Sequence, residues 1–432
     1  MLLSFCFENF RSFKDKTTLS MIATTQRTLN DVLIRKGKHR ILPSAVLYGA
    51  NASGKSNVIL AMLALRTIVK NGSIAHTANK IISSMELFPF VHDNNADPIT
   101  FEIEFIEGED QFIYRLSIDV EPLKKNGKRR ILEECLNLVL PKRSVMLFHR
   151  TEHDIFVGND SYALNMLQHQ DTKALQNLVG SIIKNMDEEA LFLTGGFKST
   201  ISKAVADKVI DHISEKILSV MDLSDMLLDS TIIATDDPVI ASGSVIQEKL
   251  FDAIVSAADF GPQQIFLRAK ENNDQGIKEL KMISQYRKTT IPSELMESAG
   301  TIKLLRFSLL LRQFIAQGGL LMIDEMDNAI HPEIMKAIIA LFGNPEVNKN
   351  GAQLIFTTHN PIFMDHDLLR RDQILFTERD PDTYESTLHS LGDFGSISVR
   401  NDQSFMRNYF KGRYGRLPYI DLEAVLTHVM ED

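Results

Sequence analysis

Apolar and polar positions change their spacing along this chain, and each change marks a segment. The first residues alternate in the manner of an edge strand, and Asn9-Phe10-Arg11-Ser12-Phe13 begins a second strand-like run that reaches to about Met21. The unbroken Ala45-Val46-Leu47-Tyr48 reads as a buried strand. After it Val58, Ile59, Met62, Leu65, Ile68 and Val69 recur at helical spacing until Asn71-Gly72 stops them. From about Pro98 to Phe156 the period becomes two. Phe101, Ile103 and Phe105 alternate with Glu102 and Glu104, and Phe112, Tyr114, Leu116 and Ile118 repeat the pattern. Asn126-Gly127 offers a tight hairpin turn, so an antiparallel meander is predicted there.

Residues 159–288 read mainly as helices, for example at 172–185, 201–220 and 245–258, with a polar break at Ala234-Thr235-Asp236-Asp237-Pro238. No heptad run or fixed-period repeat supports a long coiled-coil arm. Helix and strand alternate again from about Ile291. Helices are predicted at 301–317 and 332–342, and strands at 320–323, 354–357, 374–376 and 385–388. The pattern predicts an α/β protein in four segments. These are an N-terminal lobe at 1–96, an antiparallel β subdomain at 97–157, a helical insertion at 158–289 as a partner or oligomer surface, and a C-terminal lobe at 290–432.

Composition changes this picture little. The 432 residues, 44% hydrophobic and 24% charged, suit a soluble protein with a sizeable core. Lys+Arg 47 against Asp+Glu 56 gives −9, which argues against a surface that coats nucleic acid but leaves local basic patches. Two such patches are Lys124 to Arg130 at the hairpin tip and the aromatic-basic run Arg407 to Arg416. For both, contact with DNA or RNA stays open beside a solvated turn or simple packing. The 2 cysteines, Cys6 and Cys135, read as buried reduced thiols, too few for zinc. The first residues lack a basic n-region and a cleavage site, and the best apolar run, around 304–316, is broken by Arg306 and Arg312. A cytoplasmic protein without membrane contact is expected.

Candidate chemistry gathers at the ends of three apolar strands. Gly49-Ala50-Asn51-Ala52-Ser53-Gly54-Lys55-Ser56-Asn57 carries G-x-x-x-x-G-K-S between a strand and a helix. Its glycines let backbone N–H groups surround phosphate oxygens, Lys55 reaches the β- and γ-phosphates of ATP, and the Ser56 hydroxyl holds Mg²⁺. Leu320-Leu321-Met322-Ile323-Asp324-Glu325 places Asp324 at a strand end as a second metal-side group. Glu325 follows as a base for the attacking water. Leu354-Ile355-Phe356-Thr357-Thr358-His359 ends a third strand, and His359 there suits a γ-phosphate donor or a plain loop histidine.

Taken together the chain resembles ATPases with an ABC-type head, of the kind in RecF, SMC and OLD proteins. The fold implied is an ABC-type P-loop head with an inserted β-meander and a helical insertion. Glu297-Ser298-Ala299-Gly300-Thr301 looks like the ABC signature, with Ser298 and Gly300 in place of its serine and last glycine. Asp324 to His331 looks like Walker B and D-loop, Thr358-His359 like the switch histidine, and Asn9-Phe10-Arg11-Ser12-Phe13 like the N-terminal segment near base and phosphates. By that likeness Asn9 and Arg11 would touch nucleotide. The Glu-Ser-x-Gly-Thr signature, Asp-Glu-x-Asp-x-x-x-His-Pro and the closing run Tyr409 to Pro418 are most similar to the RloA-like group of AAA-family ATPases in bacterial defence loci. Two positions depart from the pattern: Met85 to Phe90 stand where a Q-loop glutamine is expected, and His331 replaces a D-loop aspartate.

The resemblance implies an ATPase that forms a homodimer or higher homo-oligomer around ATP, the signature of one copy capping the nucleotide of the other. It also implies a separately encoded effector, a nuclease or Toprim-like toxin, because the chain shows no nuclease constellation of its own. The alternatives are a RecF-like ATPase of DNA repair and an ATP-gated scaffold with little turnover. For Ser298, the alternative is a helix N-cap.

Overall fold

In the computed structural model the strands segregate into two large sheets of opposite kind. Residues 1–75, 87–90, 97–119, 129–168, 172–183, 185–221, 245–246, 251, 254, 261–271, 278–328, 330–394 and 404–414 are described. The first sheet has the order β11 (Ile217–Val220), β16 (Leu320–Ile323), β17 (Gln353–Thr357), β5 (Ser44–Gly49), β18 (Ile374–Arg379) and β19 (Ser386–Ser390). All its neighbours are parallel except the last pair. Its central strands β16, β17 and β5 are buried on both faces, which explains their apolar runs. Along β5, Ala45 and Leu47 enter one core while Val46 and Tyr48 enter another.

The second sheet is antiparallel throughout, in the order β10 (Ile155–Val157), β9 (Ser144–Thr151), β8 (Arg130–Val139), β7 (Asp110–Asp119), β6 (Ile99–Glu107), β1 (Leu2–Glu8) and β2 (Thr17–Ser20). Helix α1 (Lys55–Asn71) shares a core with it through Val58, Ile59, Met62, Leu65 and Ile68. The predicted meander is therefore present and is lengthened by the two N-terminal strands. Its hairpin tip at 120–128 lies outside the described residues. A short ribbon, β3 (Ile34–Lys36) with β4 (His39–Ile41), leads into β5.

The segment 158–289 departs from the helical expectation. It does contain α2 (Ser161–Leu167), α3 (Thr172–Ile183), a π-helix (Leu193–Ile201) and α4 (Lys203–Ser214). The helix expected over 201–220 stops at Ser214, however, and Ile217–Val220 becomes β11, in register with Leu320–Ile323. The apolar spacing of Val205, Val209 and Ile213 runs on into Ile217 and Val220, so periodicity alone hid the change of element. Strands also replace helix further on. β12 (Val245–Ile246), β13 (Gln264–Glu271), β14 (Lys278–Tyr286) and β15 (Thr289–Pro292) form an antiparallel sheet. Most of the helix expected at 245–258 lies outside the described residues.

The far face of the parallel sheet is covered by α6 (Ala299–Gln317), which follows the single turn α5 (Ser293–Met296), and by α7 (Pro332–Gly343). Phe307, Leu310 and Phe314 of α6 and Met335, Ile338 and Phe342 of α7 fill that core. The last described helix, α8 (Phe405–Phe410), sends Tyr409 against Tyr48 and Phe376, and Tyr414 packs on Phe376 at 5.6 Å. Those rings, left open for base stacking in the sequence, serve packing. Cys6 and Cys135 are free thiols, the first buried and the second half-buried. Among the described residues no helix is long and apolar enough to cross a membrane.

Candidate active site

Between the end of β5 and the start of α1 the chain doubles back through a crowded turn. A Cβ on Gly49 would lie 2.4 Å from both Ser53 Oγ and Thr377 Oγ1, so only glycine fits. Gly54 caps α1 with φ 114, and Ala52 is left-handed at φ 60. Ser53 Oγ and Thr377 Oγ1 are 2.6 Å apart, tying the loop to β18. Lys55 is 7% exposed, and its Nζ donates to the carbonyls of Gly49 and Ala50 at 3.0 Å each. Burial lowers its pKa, against the pull of Asp324 and Glu325. The ammonium is folded over the loop's own acceptors, where an anion would be the stronger partner.

Asp324 follows β16 and is buried; Glu325 follows it in a left-handed conformation, φ 45, a costly state for a side chain other than glycine. Thr357, the last residue of β17, holds both. Its hydroxyl donates to Asp324 Oδ1 at 2.5 Å and accepts from the Glu325 N–H at 2.8 Å, while its carbonyl accepts from Met326 at 3.3 Å. Thr357 does not stand out in the sequence. Its signal is a hydroxyl ending an otherwise apolar strand, significant only once β17 is known to lie beside β16.

His359 is exposed two residues beyond β17. Partial desolvation and the Lys55 cation lower its pKa, with Glu325, Asp327 and Asp324 pulling the other way. It is therefore neutral near pH 7. The ends of β5, β16 and β17 thus bring Lys55, Asp324, Glu325 and His359 together. Ser56, half-buried on the first turn of α1, and Asp324 offer the hard oxygen donors that Mg²⁺ takes.

Other expected site residues are placed differently. Asn9 is buried and left-handed; its Oδ1 accepts from Phe90 N at 2.9 Å and its Nδ2 donates to the Asp97 carbonyl. Both polar ends of Asn9 are thus engaged, one with Phe90 and one with Asp97. Arg11 N donates to the Phe88 carbonyl at 2.7 Å, and its guanidinium lies 5.6 Å from the Phe10 ring centroid. The loop reaches the P-loop helix instead through Asn57 Nδ2, which donates to Ser12 Oγ at 2.8 Å. Ser298 is the exposed N-cap of α6, accepting from Thr301 N at 3.1 Å, with Gly300 in the first turn. Buried Lys303, one turn on, donates to the Asn328 carbonyl at 2.9 Å and so ties α6 to the loop after Glu325. His331 caps α7, its Nδ1 accepting from Glu333 N at 3.2 Å.

Over residues 44–152 and 218–365 the chain matches the family described as AAA domain, putative AbiEii toxin, Type IV TA system. Both stretches carry the strands just described. No curated protein matches it by sequence. Among solved structures it is similar to an SMC head bound to the C-terminal winged-helix domain of ScpA, at 14% identity and TM-score 0.39, over 90% of this chain and 97% of that one. It is also similar to the SMC head domain of Thermotoga maritima, at 14% identity and TM-score 0.37, over 90% and 98%.

Proposed function

The chain belongs to this AAA-domain family, and from that premise we propose that it is an ABC-type ATPase subunit that dimerises around ATP and controls a separately encoded effector in anti-phage defence. The observation that carries the reading is the convergence of Lys55, Asp324, Glu325 and His359 on one glycine-bounded loop. Ser56 and Asp324 would hold Mg²⁺, which neutralises charge on the β- and γ-phosphates when bound. Lys55 exchanges two loop carbonyls for phosphate oxygens, a charge-assisted gain. Glu325, its backbone fixed by Thr357, takes the proton of the attacking water. His359, neutral and exposed, donates an N–H toward the γ-phosphate.

The exposed N-terminus of α6, with Ser298 and Gly300, offers donors to an anion. That supports a role on a partner's ATP. The family description, naming a putative toxin of a toxin–antitoxin system, supports a place in such a system.

Turnover of the wild type beside Lys55→Ala and Glu325→Gln tests hydrolysis; each substitution is expected to lower kcat at least about 100-fold. Light scattering of Glu325→Gln with and without ATP tests the dimer, and an unchanged mass sinks it. Copurification with the product of the adjacent gene tests the effector. Strong stimulation of turnover by DNA alone would turn the reading toward DNA repair.

A further inference from the structure

A cleft of about 260 Å³ opens beside the P-loop, with Ala50 to Ser53 forming one wall. The turn between β18 and β19 forms the other, through Arg379, Asp380, Pro381 and Tyr384. We propose that this cleft is the nucleoside subsite, receiving the adenine ring and ribose of the ATP whose phosphates lie on the P-loop. The proposal rests on the ATPase reading above and deepens it.

Position comes first. The cleft shares a wall with the phosphate loop, so a ligand anchored there by its phosphates reaches it within the length of one nucleoside. The volume falls below the roughly 300–1,000 Å³ of sites for whole drug-sized ligands, which suits part of a nucleotide rather than all of it.

The wall is also rigid. Asp380 Oδ1 accepts from the N–H groups of Asp382 and Thr383 at 2.9 Å each, and Tyr384 N donates to the Asp380 carbonyl at 2.9 Å. Arg379 Nε donates to the Tyr384 carbonyl at 3.0 Å. These bonds hold Tyr384 at φ 60, a strained state of the kind found at ligand sites. The ring remains 55% exposed, with the Arg379 guanidinium 5.5 Å from its centroid. An aromatic ring flanked by a planar cation is a stacking platform for a base.

Charge decides against a second phosphate. Glu378 and Asp380 outnumber Arg379 along this wall and repel a polyanion. Their oxygens accept from ribose hydroxyls, as an acidic residue does in dinucleotide sites, and from the exocyclic amine of adenine. The Asn9 to Arg11 segment, where the resemblance placed base contacts, has the Asn9 side chain engaged with Phe90 and Asp97.

The experiment is calorimetric binding of Mg-ATP and of Mg-tripolyphosphate to full-length protein carrying Glu325→Gln to block turnover. Tyr384→Ala is expected to weaken ATP about tenfold while leaving tripolyphosphate within twofold, and Tyr384→Phe to stay near the parent for both. Lys55→Ala is expected to weaken both ligands. If Tyr384→Ala weakens neither ligand, or both equally, the subsite is wrong while the ATPase reading stands. If the parent binds neither, the ATPase reading falls and takes the subsite with it.

Discussion

Thr357 joins two groups that the sequence presents as a simple acidic pair. Its single hydroxyl donates to the Asp324 carboxylate and accepts the Glu325 amide, so it sets both the proposed metal-side ligand and the backbone of the proposed base. Thr357→Val keeps the shape and removes the bonds. Turnover is expected to fall about 10–100-fold with the circular dichroism spectrum unchanged, and Thr357→Ser to restore most of it. Gly49→Ala is expected to abolish nucleotide binding in a fluorescence titration, because its new Cβ would sit 2.4 Å from Ser53 Oγ. Gly49, Lys55, Ser56 and Asp324 were legible in the sequence because local chain geometry sets their spacing. Thr357 was not, since its role depends on a pairing of strands that places Phe356 opposite Ile323.

Among the elements, the π-helix shows how a buried charge can fix a boundary. Glu134 of β8, fully buried, accepts from the N–H groups of Phe192 and Leu193 at 2.7 and 2.9 Å and from Tyr114 Oη at 3.0 Å. Buried Arg150 lies 3.7 Å from it. Glu134→Ala strips partners from all of these at once and is expected to cost about 3–5 kcal/mol in a urea melt. Ser298 caps α6, so Ser298→Ala is expected to cost about 1 kcal/mol. Loss of ATP-driven dimerisation beyond that cost, measured by light scattering, would mark a role across the dimer; retained dimerisation would leave a cap alone. Sequence periodicity found α1, α6, α7 and the meander because each keeps one period from end to end. It misread 201–220, where one apolar series crosses from helix into strand, and 264–286, where a hairpin stands in place of helix.

At the scale of the whole molecule, Glu107, which ends β6, ties the antiparallel sheet to α4 and to the turn before β11. It meets His212 Nδ1 at 2.8 Å and Lys216 Nζ at 2.5 Å. Burial, with the Met1 amino group and Lys216, lowers the His212 pKa to about 3. Glu107 is brought to about 2 by hydrogen bonds from His212 and Lys216, although burial alone would raise it. Both folded values lie below the unfolded ones. The stability that this pair contributes is therefore fully present above about pH 6.5 and declines as the unfolded chain takes up protons that the folded one refuses, first on His212 and below about 4.5 on Glu107 as well. The loss is up to about 1.4 kcal/mol per pH unit for His212, with a smaller, solvent-screened share from Glu107. Thermal melts from pH 7 to 4 should show the decline, and His212→Asn should flatten its upper part. The parallel sheet was legible from its apolar runs, but not its outermost strand, which comes from a segment that reads as helix. That strand, β11, ends at Val220, whose carbonyl accepts the Asp324 amide at 2.9 Å. Glu215, Lys216 and then the extended residues of β11 thus run from the end of α4 to the backbone of Asp324, like a drawstring sewn to that strand end. Tension on α4 would reach the proposed ATP site along covalent chain and the β11–β16 ladder.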